Sequence, residues 1–125
     1  MDCVNLTSLL QNQELCKMTK IAELNDNLRR NLFNPGKNKV VITSGVATLS
    51  FIDRVGLLKK VIDFNNFNAD NDPYKEHDFG RIEHNGINYF FKIDYYDKTM
   101  ECGSDDPSNP DITTRVLTIM CSDEY

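Results

Sequence analysis

Two short runs of this chain hold most of the side chains whose chemistry goes beyond packing. Residues 71–80 read NDPYKEHDFG and residues 92–97 read KIDYYD, so an imidazole and several carboxylates recur close together. A histidine beside a carboxylate is the pairing that general acid–base catalysis uses, because the carboxylate orients the ring and stabilises its charged form. His77 and Asp94 are therefore the candidate catalytic residues.

Both runs belong to one predicted β-hairpin. Asn85-Gly86 tolerates positive φ at both central positions of a type I′ turn, which predicts a two-residue connection between two strands. Counting outward from that turn places His77 directly opposite Asp94. A bulge at Gly80 would shift the register by one residue and separate the pair.

Side chains alternate across this hairpin and separate into two chemically different faces. The face predicted to pack in the core carries Ile82, Ile87, Tyr89, Phe91, Ile93 and Tyr95. The opposite face carries His77, Phe79, Arg81, Glu83, Phe90, Lys92, Asp94 and Tyr96. Exposed aromatic rings beside charges match the composition of protein interfaces. This mixture favours a binding surface that includes Arg81, Phe90, Lys92, Tyr96 and Asp97.

Two catalytic readings compete with the binding surface. In the first, His77 acts as general base or acid with Asp94, and developing negative charge is stabilised by Arg81, Lys92 or Tyr96. In the second, Asp72 or Asp97 joins the pair to hold Mn²⁺ or Mg²⁺, since most of the donors are oxygens. No serine or cysteine lies in a recognised nucleophile context. This counts against the catalytic interpretations, and the preferred interpretation, a binding surface, includes no cofactor and no resident metal.

Charge is distributed unevenly along the chain, whose formal net charge is −5. Residues 1–60 hold nine Lys or Arg and five Asp or Glu, whereas residues 61–125 hold five and fourteen, which gives +4 and −9. The predicted long loop, residues 101–111, adds three candidate contacts: Asp105, Asp106 and Asp111. Such a surface repels phosphate, so we expect a protein partner with a basic surface and no direct nucleic-acid binding. The same balance is also typical of a protein kept soluble by its charge.

The composition is that of one cytoplasmic domain. The chain has 125 residues, enough to bury a core, and no apolar run approaches the roughly 20 residues that cross a bilayer. Its four cysteines are scattered, with no zinc-site spacing, and no export signal precedes them. We therefore expect reduced thiols and no membrane association.

Hydrophobic spacing predicts two helices and two further strands. The first helix carries an apolar stripe through Ile21, Leu24, Leu28 and Leu32 and ends before Pro35. A strand is predicted over residues 40–43 and another over residues 115–121. The second helix, residues 50–64, begins with a capping pair and is expected to bury Phe51, Val55, Leu58 and Ile62.

The order α-β-α-β-β-β predicts an α+β fold in which two helices pack on one face of a small, mainly antiparallel sheet. Residues 18–125 form this single domain. Residues 1–17 are interpreted as an N-terminal extension.

Several exact runs point to a known family. IAELND at residues 21–26, NDPY and EHDFG within residues 71–80, KIDYYD at 92–97 and TRVLTIM at 114–120 occur in this order. In these runs the chain, from about residue 18 onward, resembles a bacterial family of short proteins catalogued as domain of unknown function 3768. The resemblance implies members on plasmids and other mobile elements, and it assigns no reaction and no catalytic residues.

These observations favour a small acidic binding protein. Mobile elements carry small acidic inhibitors of host defence, so the expected function is inhibition of a nucleic-acid-handling defence system of the CRISPR or restriction type. The alternatives are a small hydrolase that depends on His77 and Asp94, with or without a divalent metal ion, and a structural domain that pairs with itself. The sequence gives no basis for an oligomeric state.

Overall fold

The computed structural model describes the backbone of residues 6–125 and the side chains of residues 13–125. Its elements are α1 (Leu6–Arg30), β1 (Lys39–Ile42), α2 (Ser44–Ala47), α3 (Phe51–Ile62), β2 (Phe79–His84), β3 (Ile87–Tyr96), β4 (Thr114–Cys121) and a final 3₁₀ turn (Ser122–Glu124). The predicted order is confirmed, and the short α2 is added between β1 and α3.

The four strands form one mixed sheet in the order β1-β4-β3-β2. β1 runs parallel to β4, whereas β4, β3 and β2 are antiparallel neighbours, which confirms the predicted α+β class. The hairpin turn lies where it is predicted, with positive φ at Asn85 and Gly86. Gly80 lies opposite Phe91, so β2 and β3 keep the predicted register without a bulge.

All three helices pack on the same face of the sheet. Their buried side chains join those of the strands in one apolar cluster: Leu28, Leu32, Val46, Leu57, Val61, Ile82, Tyr89, Phe91, Ile93, Leu117 and Ile119. The predicted core positions of the hairpin are buried except at its ends. Ile87, next to the hairpin turn, is 50% exposed, and Tyr95 is half-buried.

The buried face of α3 differs from the prediction. Leu57 and Val61 are fully buried, whereas Phe51 and Val55 are exposed. Apolar residues occur around more than half of the circumference of α3. The spacing of these residues alone therefore does not determine which face is buried. The rotation of α3 about its axis is fixed by long-range contacts. In one of them the side-chain amide of Asn85 donates through Nδ2 to Asp53 Oδ1 at 2.8 Å.

α1 is a single helix of 25 residues, which includes residues 6–17 of the predicted extension. Its C-terminal half packs on the sheet through the predicted apolar stripe, and residues 13–17 are exposed. The role of residues 1–17 stays a prediction, and residues 1–5 lie outside the described residues. None of the described helices is both long and apolar enough to span a membrane.

Two arginines are buried beneath the helices. Arg29 donates to the carbonyls of Val61 (3.1 Å) and Ile62 (2.8 Å) and so satisfies the C-terminal end of α3. Arg115 donates through Nε to Asn25 Oδ1 at 2.7 Å. These bonds, with the bond of 2.9 Å from Arg29 to Asp26 Oδ1, replace most of the water that the guanidinium groups lose on burial, but Arg29 Nε has no partner among the described residues.

Candidate functional site

The second face of the sheet is not covered by any helix of the described chain. Along β3 this face carries the side chains that alternate with the core residues: Phe90, Lys92, Asp94 and Tyr96. Arg81 lies beside them on β2 and donates through Nε to Asn88 Oδ1 at 3.3 Å. We call this surface the open face. It brings together five of the residues predicted from the hairpin pattern.

An aromatic cluster forms one end of the open face. The ring centroids of Phe79 and Phe90 are 5.1 Å apart, and the C-terminal Tyr125 packs on both, at 6.0 and 5.6 Å. Phe79 and Phe90 are half-buried, and Tyr125 is exposed. Because these rings already pack on one another, they lose little conformational freedom when they bind. The cluster is therefore suited to anchor a partner.

The middle of the open face is a shallow concavity of about 420 Å³. It contains an ion pair between Lys92 Nζ and Asp94 Oδ2, 3.1 Å long, with side chains 39% and 40% exposed. Tyr96, Thr118 and Met120 border it. An ion pair this exposed stabilises the fold little, so both groups are free to exchange partners.

The expected pairing of His77 with Asp94 is wrong. The chain takes a left-handed conformation at His77 (φ 58°), and β2 begins only at Phe79, so His77 lies outside the strand ladder. Its Nδ1 is 3.0 Å from both carboxylate oxygens of Asp26. Catalytic roles for His77 and Asp94 stay predictions, but the two residues do not act on each other.

His77 instead lies in a polar cluster between α1 and the segment before β2. Its Nε2 is 3.6 Å from Asp72 Oδ2, and its ring stacks on Phe67 with centroids 4.0 Å apart. Asp72 is buried and accepts the backbone amides of Glu76 (3.0 Å) and His77 (3.2 Å). The two carboxylates thus fasten the turn at residues 72–77 to α1.

The polar cluster around His77 is open to solvent on one side. The His77 side chain is 30% exposed and, with Phe67 and Asp72, borders a cleft of about 320 Å³. Nδ1 is held by Asp26 and Nε2 lies 3.6 Å from Asp72 Oδ2, so a small molecule in that cleft would have to displace Asp72 before Nε2 could exchange a proton with it. Sequence reasoning missed Asp26 as a partner of His77, because nothing in the spacing of two residues 51 positions apart indicates the contact.

A second buried network lies next to this cluster. Asn25 is fully buried and donates to the Glu76 carbonyl (2.9 Å) and to the Tyr95 hydroxyl (2.8 Å), while Tyr95 donates to Glu76 Oε2 at 2.9 Å. Burial raises the pKa of Tyr95 and lowers that of Arg115, whose guanidinium lies over the Tyr95 ring. This network holds the end of β3 and the loop after it.

The loop between β3 and β4 is held in place from below. Arg115 donates to the Pro107 carbonyl, and the buried hydroxyl of Thr113 donates to the Asp106 carbonyl at 2.9 Å. Near its start the loop returns to β3, where Tyr96 pairs with Gly103 in an isolated bridge. Residues 97–111, which we call the acidic loop, are therefore supported by the core and present their carboxylates in a fixed arrangement.

The predicted acidic contacts divide into two kinds. Asp97 accepts from Thr99 Oγ1 (2.9 Å) and Asp106 from Ser108 Oγ (2.5 Å), and these hydrogen bonds lower the pKa of both carboxyls. Asp105 and Asp111 are exposed, and their carboxylates accept no hydrogen bond within the described part of the chain. Glu101, not among the predicted contacts, is exposed in the same way. Only the second kind is free for a partner.

One further carboxylate cluster lies at the C-terminal end. Cys121, Asp123 and Glu124 approach one another closely enough to suggest a metal site. Glu124, however, accepts from Thr43 Oγ1 (2.6 Å), Gly45 N (3.0 Å) and Cys121 N (2.9 Å). These hydrogen bonds, with Thr43 first, lower the pKa of Glu124 to about 2. The cluster is explained as a cap that joins the C-terminus to the start of α2.

The sequence model of a family described as "protein of unknown function (DUF3768)" matches residues 42–124. The chain belongs to this family, and the matched part includes β2, β3, β4, the open face and the acidic loop. A search of curated proteins and a search of solved structures each found no significant match. The family assigns no activity, so the function is argued from the geometry.

Proposed function

We propose that this protein binds another protein through the open face and the acidic loop. The observation that carries the proposal is the one-sided sheet: the helices cover one face, while the other holds an aromatic cluster and an exposed ion pair. Exposed rings rimmed by polar groups are the usual composition of interface anchors.

The charge of the acidic loop indicates the chemistry of the partner. Residues 97–111 contain five carboxylates and one lysine, and the loop is anchored by Arg115 and Thr113. A pre-organised anionic surface loses little entropy on binding and attracts a positively charged one. The expected partner is therefore a protein with a basic surface, and nucleic acid itself would be repelled.

A basic groove that normally takes phosphate is the surface best matched to such a loop. The proposed role is therefore inhibition of a nucleic-acid-handling defence complex in the bacterial cytoplasm, by a protein carried on a mobile element. In this role the carboxylates of Glu101, Asp105 and Asp111 would occupy positions that phosphates otherwise take.

Affinity capture with matched baits tests the proposal. Tagged wild-type protein and the variant E101Q/D105N/D111N are incubated with lysate of a defence-competent bacterium at low and moderate salt, and retained proteins are quantified by mass spectrometry. We expect stoichiometric retention of a basic complex that falls with salt and with the triple substitution.

The control bait is E14Q/E23Q/D70N, which removes three exposed carboxylates outside the loop. Its net charge is therefore the same as that of E101Q/D105N/D111N. It should retain the partner as the wild type does. Equal retention by all three baits, at both salt concentrations, would contradict the proposal.

A second candidate, a small hydrolase, is favoured by one observation. Asp26 and His77 form a contact of 3.0 Å beside an open cleft, so the enzyme reading now uses Asp26 rather than Asp94. Turnover in a hydrolase substrate panel should then be lost in His77→Asn but kept in E101Q/D105N/D111N. Unchanged turnover in the His77→Asn variant, or none in the wild type, would exclude this candidate.

A further inference from the structure

The outer edge of β2 is an open strand edge. β2 is the last strand of the sheet. The Ile93 amide donates to the Asp78 carbonyl at 2.8 Å, and hydrogen-bonded pairs alternate along an antiparallel ladder. The residues that direct backbone N–H and C=O groups away from β3 are therefore Phe79, Arg81 and Glu83.

One side chain partly occupies this edge. Lys60 Nζ donates to the Glu83 carbonyl at 3.0 Å. Within the described part of the chain, the other outward-facing backbone groups of β2 have no hydrogen-bond partner. A lysine at this position discourages uncontrolled pairing, but its flexible side chain is easily displaced by a backbone N–H.

A groove runs along the edge on the helix side. It lies between α3 and β2, has a volume of about 580 Å³, and has an apolar floor formed by Phe64 and Ile82. His84 also lines it; its ring nitrogens are buried without a hydrogen bond among the described residues, and Nε2 lies 3.5 Å from Asp53 Oδ1. The groove therefore offers apolar contact beside an imidazole ring that already has a carboxylate neighbour.

A second concavity flanks the same edge on the open face. Its volume is about 380 Å³, and Phe64 and Arg81 border both spaces. Side chains of a strand alternate between its two faces. A strand added to β2 would therefore place successive side chains in the helix-side groove and in the second concavity by turns.

The helix-side groove is bordered by more positive than negative side chains, although the molecule as a whole is acidic. Lys59, Lys60 and Arg81 border it against one carboxylate, Asp63. The whole chain carries a formal net charge of −5, although residues 1–60, which include Lys59 and Lys60, carry +4. Electrostatic complementarity therefore selects a segment with acidic side chains on the face that meets α3.

We propose that the β2 edge binds an extended acidic peptide segment of a partner protein as a fifth strand, with its acidic side chains toward Lys59 and Lys60. Main-chain hydrogen bonds to Phe79 and Arg81 give affinity, and the alternating spaces give specificity. A second copy of this chain is a poorer occupant, because β2 pairing with β2 would bring two pairs of these lysines together. The site shares Arg81 with the open face and is separate from the acidic loop.

The test uses two fluorescein-labelled peptides as long as β2, one of alternating Glu and Thr and one of alternating Lys and Thr, with fluorescence anisotropy as the readout. The acidic peptide should bind roughly tenfold or more tightly than the basic one, and K59E/K60E should remove that preference. The matched control is K37E/K39E, since both of these lysines are exposed outside the groove.

Arg81→Pro tests the main-chain contact. The Arg81 N–H faces outward, so proline removes a donor from the edge without removing a bond to β3. This variant should keep the wild-type far-UV circular dichroism spectrum and lose peptide binding. In the wild type, hydrogen exchange at the Arg81 and Glu83 amides, followed by NMR, should slow when the acidic peptide is added, a readout that requires no variant to fold.

Several results would overturn the inference. They are equal binding of the two peptides, no binding of either, and unchanged exchange at the Arg81 and Glu83 amides with the acidic peptide in excess. A dimer in solution that Arg81→Pro dissociates would assign the edge to a second copy instead. Because E101Q/D105N/D111N should leave peptide binding unchanged, failure here is distinguishable from failure of the proposed function.

Discussion

On β3, Phe91 and Ile93 are buried under the helices, whereas their neighbours Lys92 and Asp94 lie on the open face. Alternate residues of β3 therefore lie in two environments, the apolar core and the open face. Beneath the helices, the buried Arg115 guanidinium is held in place by its hydrogen bond to Asn25. On the open face, charged groups are half-exposed and able to exchange partners. Substitutions on the first face should change stability, and those on the second should change binding.

The largest expected effect is the difference in free energy of unfolding between substitutions of two arginines, one on each face. Arg115→Ala should lower the free energy of unfolding by about 3 kcal/mol, because it leaves a cavity and removes the donors to Asn25 and the Pro107 carbonyl. Arg81→Ala, at an exposed position, should change it by less than about 0.5 kcal/mol. Urea unfolding of both variants measures the difference. Similar losses would show that the two faces are not energetically distinct.

Gly80→Ala should have the next largest effect. An added Cβ would meet the Phe91 ring and lie 2.8 Å from Phe64 Cε1, so the packed rings must shift, at a cost of about 1–3 kcal/mol. In Gly103→Ala the nearest contact is 3.8 Å, to the Tyr95 carbonyl oxygen, and the melting temperature should change little. If both alanine variants melt like the wild type, the close packing of β2 on Phe91 is incorrect.

A smaller effect, dependent on pH, is expected at Glu124. Its pKa of about 2 lies below the ordinary value of 4.5, so its stabilising contribution is complete above pH 4.5 and is lost as the pH falls toward 2. Glu124→Gln should therefore lower the melting temperature at pH 7, and the difference from wild type should shrink between pH 4.5 and 2. Asp123→Asn is the control, because its side chain is exposed. A difference that does not vary with pH would contradict the proposed cap.

The smallest effect on stability is expected in the acidic loop. E101Q/D105N/D111N removes carboxylates that make no hydrogen bonds in the described chain, so the free energy of unfolding should change by less than about 0.5 kcal/mol. Asp106→Asn weakens the cap on Ser108 and should destabilise more. Urea unfolding compares the two. The reverse order would mean that the free and capping carboxylates have been assigned the wrong way round.

The parts of the fold that follow local rules were predictable from the sequence. The Asn85-Gly86 turn fixes the hairpin register through its own backbone geometry, and Ser50 caps α3 by accepting the Asp53 amide. The stripe on α1 was also predictable, because only one face of its C-terminal half is apolar. The face of α3 was not, because its apolar residues permit more than one orientation.

The errors at the site have a common physical cause. His77 continues a regular strand by pattern, but its left-handed backbone turns it toward Asp26 on α1, a contact no spacing rule reveals. Arg29 lies in the last turn of α1, where a basic side chain usually complements the helix dipole from the surface, yet it is buried and bonds to the end of α3. Likewise the free and capping carboxylates of the acidic loop have identical residue types and differ only in their neighbours.

Site-specific photocrosslinking tests most directly whether the open face is the binding surface. Benzoylphenylalanine is placed at position 125, in the aromatic cluster, or at position 33, where the native side chains are 76% and 77% exposed. After irradiation in bacterial lysate, we expect position 125 to crosslink to a basic protein, less so in the E101Q/D105N/D111N background, and position 33 to give no such product. Equal crosslinking from both positions, or crosslinking from position 33 alone, would contradict the account.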